Sequence, residues 1–355
     1  MTAALPIVRC AGTPRQRGEA HGEALRTLIQ ATLERWQASL GRPAQGDPHA
    51  YLREFLGQTD YMAAMTRWTQ DLLDELRGIA AGAVVPFEQL FAYNLLDEEW
   101  WFARSHARPA AGCTVIGWWD GSDDGPLLAQ TMDIGSIYDG AQAVLQLQPD
   151  DAPEALVFTF AGMIGLNGCN AASVGVVVNN LSMLPHASHG LPVAAVVRGI
   201  LARGSLTDAA AFIRSVPHAS GQHYAVGSPE GLLSFECSAG GVVQDASATS
   251  RVLHTNHPLV GGDPPAAGAP SDATANSRAR YDFITRRAGA IDGQADIEAI
   301  LADQTVPISI ACAPGCGFTF GATSLALGMT PRMRIAPGPP HCNPYVELSF
   351  GTSNT

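Results

Sequence analysis

At 355 residues, 46% of them hydrophobic and 15% charged, the chain has material for a globular core in one large or two modest domains. A net charge of −12 argues against nucleic acid or an anionic membrane surface as a partner, since both call for a basic face. All 21 basic residues are arginine, which excludes a Schiff-base lysine, a phosphate-loop lysine and a serine–lysine dyad.

The first third reads as helical. Thr13-Pro14-Arg15-Gln16 is a start signal, with Thr as N-cap, Pro at the first helical position and Gln completing a capping box. Leu25, Leu28, Ile29, Leu33 and Trp36 then recur at helical spacing up to Gly41-Arg-Pro43. Further helices are predicted over Tyr51 to Leu56, over Thr66 to Ala83, and from Pro86 to Trp100 and Trp101. The N-terminus has no basic start and no long apolar run, so neither a signal peptide nor a membrane span is read.

After the loop Ser105 to Ala111 the period changes at Gly112-Cys113-Thr114. Cys113 opens an apolar run to Trp119, and short apolar or alternating segments follow at 127–133, 143–148, 154–160 and 174–180. They read as mostly antiparallel strands. Helices are expected at 193–202 and 206–215. Two strands around the Ser228-Pro-Glu-Gly231 turn and a third at 251–256 come next, then a long loop over 258–276. Helices near 277–288 and 296–303 and strands near 322–336 and 345–350 complete the chain. Strands alternating with helix pairs imply an α+β sandwich with two sheets between helical layers.

Cys113 is the candidate nucleophile. A cysteine at the head of a buried strand, behind a glycine whose carbonyl is open to attack, is placed to cut the chain at Gly112–Cys113. The new terminal α-amino group, with an ordinary pKa of about 7.7–8.0, would then serve as its base. Seven cysteines spaced along the chain do not form a disulfide framework, so a reduced compartment and a cytoplasmic location are expected. His254 with His257, His186 with His189, and Cys312 and Cys316 with His341 and Cys342 lack the spacing of a metal site. No metal and no cofactor is expected. There is no Gly-x-Ser-x-Gly elbow and no dinucleotide fingerprint. A papain-like pairing of Cys113 with His254 or His257, without any cut, stays open at this point.

Several motifs together resemble the autoproteolytic penicillin acyltransferase-like family of N-terminal-nucleophile hydrolases. They are the stretch Cys10 to Gly22, Glu75 to Gly82, Gly112-Cys113-Thr114, Gln130-Thr-Met-Asp133, Ala161 to Asn170 with Gly175 to Asn179, His254-Thr-Asn-His257 and Gly338-Pro-Pro340. The resemblance implies a four-layer αββα sandwich with a helical N-terminal segment. It also implies a cut into 1–112 and 113–355, the first piece staying as partner of the second. On it, Cys113 forms an acyl-enzyme from a small amide or thioester substrate, Asp133 holds the α-amino group, and the Asn256 side chain and Asn179 backbone N–H stabilise the oxyanion. Where the family carries Ser-Arg before a Gly-Thr, this chain has Thr319-Phe320 before Gly321-Ala322. A carboxylate-bearing partner is therefore not expected, and Trp119, Phe320 and Trp101 are candidate linings of an apolar acyl pocket. A non-catalytic relative that binds an acyl ligand is the alternative outside enzymes.

Overall fold

The computed structural model describes residues 5–40, 47–103, 112–260 and 274–351. The helix stop at Gly41-Arg-Pro43, the loop Ser105 to Ala111 and most of the 258–276 loop lie outside the described residues.

Two sheets face each other. The larger takes its strands from β1 (Ile7–Gly12), β4 (Gln142–Pro149), β5 (Ala155–Phe160), β6 (Asn167–Asn170), β7 (Gly175–Asn180), β8 (Gln222–Ser228), β9 (Gly231–Ser238) and β10 (Gly241–Gln244), in that spatial order. The smaller runs β11 (Arg251–His254), β2 (Thr114–Trp118), β3 (Leu127–Gly135), β12 (Gly317–Ala326), β13 (Arg332–Ala336), β14 (Val346–Ser349). Among these pairings only β1 with β4 is parallel.

Helices α1 (Pro14–Ala24), α5 (Gln70–Ala83), α8 (Val193–Leu201) and α9 (Leu206–Ser215) cover the outer side of the larger sheet. Helices α10 (Ala275–Arg287) and α11 (Gln294–Leu301) cover the smaller. The result is the expected four-layer αββα arrangement. It explains why β5 and β7 read as unbroken apolar runs: covered on both faces, they have no solvent side to carry polar residues. Between the sheets Phe158, Phe160, Phe318 and Phe320 form one aromatic cluster.

The N-terminal segment departs from its predicted outline. It begins with β1, which adds an edge strand to the larger sheet. The long helices are also broken. The first divides at Leu25 into α1 and α2 (Arg26–Ser39), and the 66–83 helix is preceded by α4 (Tyr61–Trp68) and starts at Gln70. The helix after Pro86 parts at Asn94–Leu95 into α6 (Phe87–Tyr93) and α7 (Leu96–Phe102). The second predicted helix is α3 (Pro48–Gly57).

Helices α1 and α5 touch backbone to backbone. A Cβ on Gly18 would lie 2.0 Å from the Glu75 carbonyl oxygen, on Gly22 2.3 Å from that of Ile79, on Gly78 2.3 Å from that of Arg15 and on Gly82 2.4 Å from that of Glu19. Four glycines, two per helix and four residues apart, therefore set this crossing. Beside it the buried Glu75 takes both ends of the Arg198 guanidinium, at 2.6 and 2.9 Å, and Arg17 Nε at 3.3 Å.

Candidate active site

Cys113 stands at the head of β2, where three neighbouring chain segments and one strand of the opposite sheet converge. Pairing of β2 with β3 sets Thr114 opposite Thr131, and continuing that register brings Gly112 level with Asp133. The Gly112 N–H accordingly donates to Asp133 Oδ2 at 3.1 Å. On its other side Asp133 faces Thr319 across the β3–β12 ladder, and Thr319 Oγ1 donates to Asp133 Oδ1 at 2.7 Å. A bulge at Thr319–Gly321 interrupts that ladder.

The Cys113 carbonyl is held by two donors, Asn179 Nδ2 of β7 at 2.9 Å and Arg280 Nη1 of α10 at 2.8 Å. Arg280 is almost wholly buried and also binds Thr114 Oγ1 at 2.9 Å, Asn256 Oδ1 at 2.9 Å and Asn276 Oδ1 at 2.7 Å. A guanidinium only donates, so this contact fixes which end of the Asn256 amide is oxygen. The nitrogen end donates to the Asn180 carbonyl at 3.0 Å. Gly112 packs directly onto this pair: a Cβ there would lie 2.3 Å from Asn256 Oδ1 and 2.6 Å from Arg280 Nη2. No residue larger than glycine fits before Cys113 while these side chains stay in place.

Burial, with the Asp133 carboxylate second, pushes the Cys113 thiol up to about 12; the Asp133 backbone N–H and the Gln130 side chain bond to it in the opposing sense. Gln130 is itself fixed across the sheets, accepting from the Val178 N–H at 3.1 Å and from Asn167 Nδ2 at 3.2 Å. Burial raises Asp133 to about 6 against the bonds of Thr319 and Gly112 and the charge of Arg280. The thiol is thus neutral at physiological pH and the carboxylate beside it is poised close to that range.

Cys113, Asp133, Asn179 and Asn256 therefore come together, with Gly112 between them. Asn179 does so through its side chain instead of the expected backbone N–H. The Val178 peptide groups point toward Gln130, so strand alternation turns those of Asn179 toward β8, where Asn179 pairs with His223.

Two of the three pocket candidates are corrected. Trp119 lies just past the far end of β2, about 20 Å along the strand from Cys113, and bonds Ser122. Phe320 is fully buried between Phe158, Phe160 and Phe318, part of the inter-sheet core and no pocket wall. Trp101 is partly exposed on α7, stacked on His186, and that helix reaches the site through Asp97, which accepts from Asn180 Nδ2 at 2.8 Å.

The histidines of the papain-like alternative are engaged elsewhere. His254 sits between the Thr255 carbonyl at 2.6 Å and Glu236 Oε1 at 2.9 Å, and His257 Nδ1 is 2.8 Å from Ser277 Oγ. Among the described residues no group of three or more His, Cys, Asp or Glu is arranged to hold a metal ion. No described helix is long and apolar enough to cross a membrane.

Arg280 was not legible beforehand. The available signal was Ser277-x-x-Arg280 on a predicted helix, one turn apart on one face. Ser277 Oγ takes the Asn256 N–H at 2.7 Å and Arg280 takes its side-chain oxygen, so this pair grips Asn256 at two points.

The chain matches the model of the family described as acyl-coenzyme A:6-aminopenicillanic acid acyl-transferase over residues 119–309. That span holds Asp133, Asn179, Asn256 and Arg280 and begins after Cys113. The chain is 27% identical over 261 residues to the 40 kDa form of acyl-coenzyme A:6-aminopenicillanic-acid-acyltransferase of Emericella nidulans, covering 73% of this chain and 71% of that one. Among solved structures it resembles a mutant conjugated bile acid hydrolase from Clostridium perfringens at 13% identity, over 67% of this chain and 92% of that one, with a TM-score of 0.47. The penicillin V acylase from Agrobacterium tumefaciens is similar at 14% identity, over 67% and 86%, with a TM-score of 0.46.

Proposed function

Because this chain belongs to the acyl-coenzyme A:6-aminopenicillanic acid acyl-transferase family, we propose that it is a self-processing amide hydrolase or acyltransferase with Cys113 as nucleophile. In the first reaction the Cys113 thiol attacks the Gly112 carbonyl. The Gly112–Cys113 C–N bond breaks, its nitrogen takes the thiol proton and becomes the free α-amino group, and a thioester is left on Sγ. Water then hydrolyses the thioester, releasing the Gly112 carboxylate and restoring the thiol. The pieces 1–112 and 113–355 remain together as the working enzyme.

In the second reaction the α-amino group takes the thiol proton, Sγ adds to the carbonyl of an N-acyl compound, and the amine leaves carrying that proton. The acyl-thioester passes to water, or to a second amine in the transfer variant. Hydrolysis comes first in our reading because water needs no second pocket. Asn256 is the oxyanion donor, since Arg280 occupies its oxygen and the Asn180 carbonyl takes one N–H, which leaves the second N–H to offer. Small N-acyl compounds are the substrate class.

The observation that carries this reading is the Gly112–Cys113 junction. The groups on either side of the scissile peptide are held, the Gly112 N–H by Asp133 and the Cys113 carbonyl by Asn179 and Arg280, and no side chain is tolerated at Gly112. Intact mass and denaturing gels of freshly made protein test it. Two pieces divided after Gly112, and a single full-length Cys113→Ala chain, are expected. Wild type that turns over acyl amides while remaining one chain would show the reading to be wrong.

A further inference from the structure

We propose that His223, a residue outside every motif considered above, is a positioning residue for the Gly112–Cys113 junction: its Nδ1–H fixes the Asn179 amide so that the NH2 end holds the Cys113 carbonyl. The proposal rests on the functional reading just given.

Both side chains are fully buried and face each other directly across the β7–β8 ladder. An amide can be turned either way round, and the Cys113 carbonyl at 2.9 Å only accepts, so nitrogen must face it. The Asn179 oxygen then faces His223 Nδ1 at 2.8 Å, and that nitrogen must carry hydrogen. A neutral imidazole has one N–H, which leaves Nε2 to accept from Ser234 Oγ at 3.0 Å.

Burial and the ring stacked on its face both favour the neutral form. His223 lies parallel to His254, centroids 3.7 Å apart and planes 5° apart. Burial, and after it the electrostatic effect of the stacked His254, hold His223 well below its ordinary value. With the other tautomer two acceptors would meet, the Asn179 amide would turn over, and its oxygen would repel the Cys113 carbonyl.

Three full-length variants decide the matter. His223→Phe keeps the ring volume and loses the donor, whereas the Nδ2 of His223→Asn replaces Nδ1–H. Self-cleavage during cell-free synthesis is followed on denaturing gels, and kcat and KM on an acyl amide are read for the cut fraction. His223→Phe should slow both cleavage and kcat about 10- to 100-fold at nearly constant KM, the range expected for a slightly misplaced nucleophile. His223→Asn should recover most of that loss even if both variants melt at the same lowered temperature. Nitrogen NMR of His223 in uncut Cys113→Ala protein should report a neutral ring with hydrogen on Nδ1. Hydrogen on Nε2 instead, or equal rates in Phe and Asn variants, overturns the proposal. Wild type that neither cuts itself nor turns over acyl amides overturns the functional reading instead, and the tautomer result does not depend on it.

Discussion

Glu75 and Asp133 are both buried carboxylates at the convergence of several elements, yet they end in opposite electrostatic states. Burial pulls Glu75 upward, but the Arg198 and Arg17 guanidiniums more than offset it and hold the carboxyl below its usual range. Among the described residues Asp133 receives direct bonds from neutral donors, Thr319 and Gly112, while Arg280 acts on it through its charge, and it rises to about 6. A buried carboxylate matched by cations is a fastener. One left with neutral donors stays responsive to a proton, which is what a reacting junction needs.

The largest expected effect lies on the reactive side. Asp133→Asn should slow self-cleavage and amide turnover by about 10²–10⁴-fold, the usual share of a positioned proton-handling group, without lowering the melting temperature at neutral pH. A wild-type rate on gels and in turnover assays would erase the distinction. Glu75→Gln should do the reverse. In the uncut Cys113→Ala background it should cost about 3–5 kcal/mol in urea titrations, because buried arginines lose their counter-charge. In the cut enzyme, kcat per folded molecule should be unchanged. Gly78→Ala tests the helix crossing that carries Glu75: its Cβ would strike the Arg15 carbonyl, and a loss of about 1–3 kcal/mol in the same titration is expected.

Glu98 on α7 gives the smallest and most selective test. Its Oε1 accepts from Ser220 at 2.8 Å and the Val193 N–H at 3.1 Å, while Oε2 is buried with no partner among the described residues. Burial, then the neighbouring Asp97, raises it to about 7 from 4.5. The folded chain therefore holds this proton more tightly than the unfolded chain does. The associated stability is fully present below about pH 4.5 and lost as pH rises through about 7. Glu98→Gln should flatten the fall in unfolding free energy between pH 5 and 8 by at most about 3 kcal/mol. An unchanged slope would place Glu98 with the matched carboxylates.

The layered α+β plan was legible because its signals are local: the Thr13–Gln16 capping box, the change from helical to strand period at Cys113, and strands too apolar to have a wet face. So was the gathering of Cys113, Asp133, Asn179 and Asn256, through motifs in order. The breaks at Leu25 and Thr69 were not, since neither carries glycine or proline and packing alone interrupts the helical spacing. Trp119 and Phe320 were misplaced because apolar patterning marks burial without saying which end of a strand, or which side of a core, is involved. Arg280 and His223 act on partners far away in sequence, and a lone arginine on a helix or histidine on a strand announces nothing.

The parallel pairing of β1 with β4 has a consequence for the protein's behaviour as an assembly. If the bond after Gly112 is cut as proposed, the 1–112 piece would still contribute an edge strand and the glycine-seamed helices, and would become a subunit with no covalent tether. Melting then changes from a unimolecular to a bimolecular event, and its midpoint rises with protein concentration. Two fragments made separately and mixed would meet as strangers along the β1–β4 pairing.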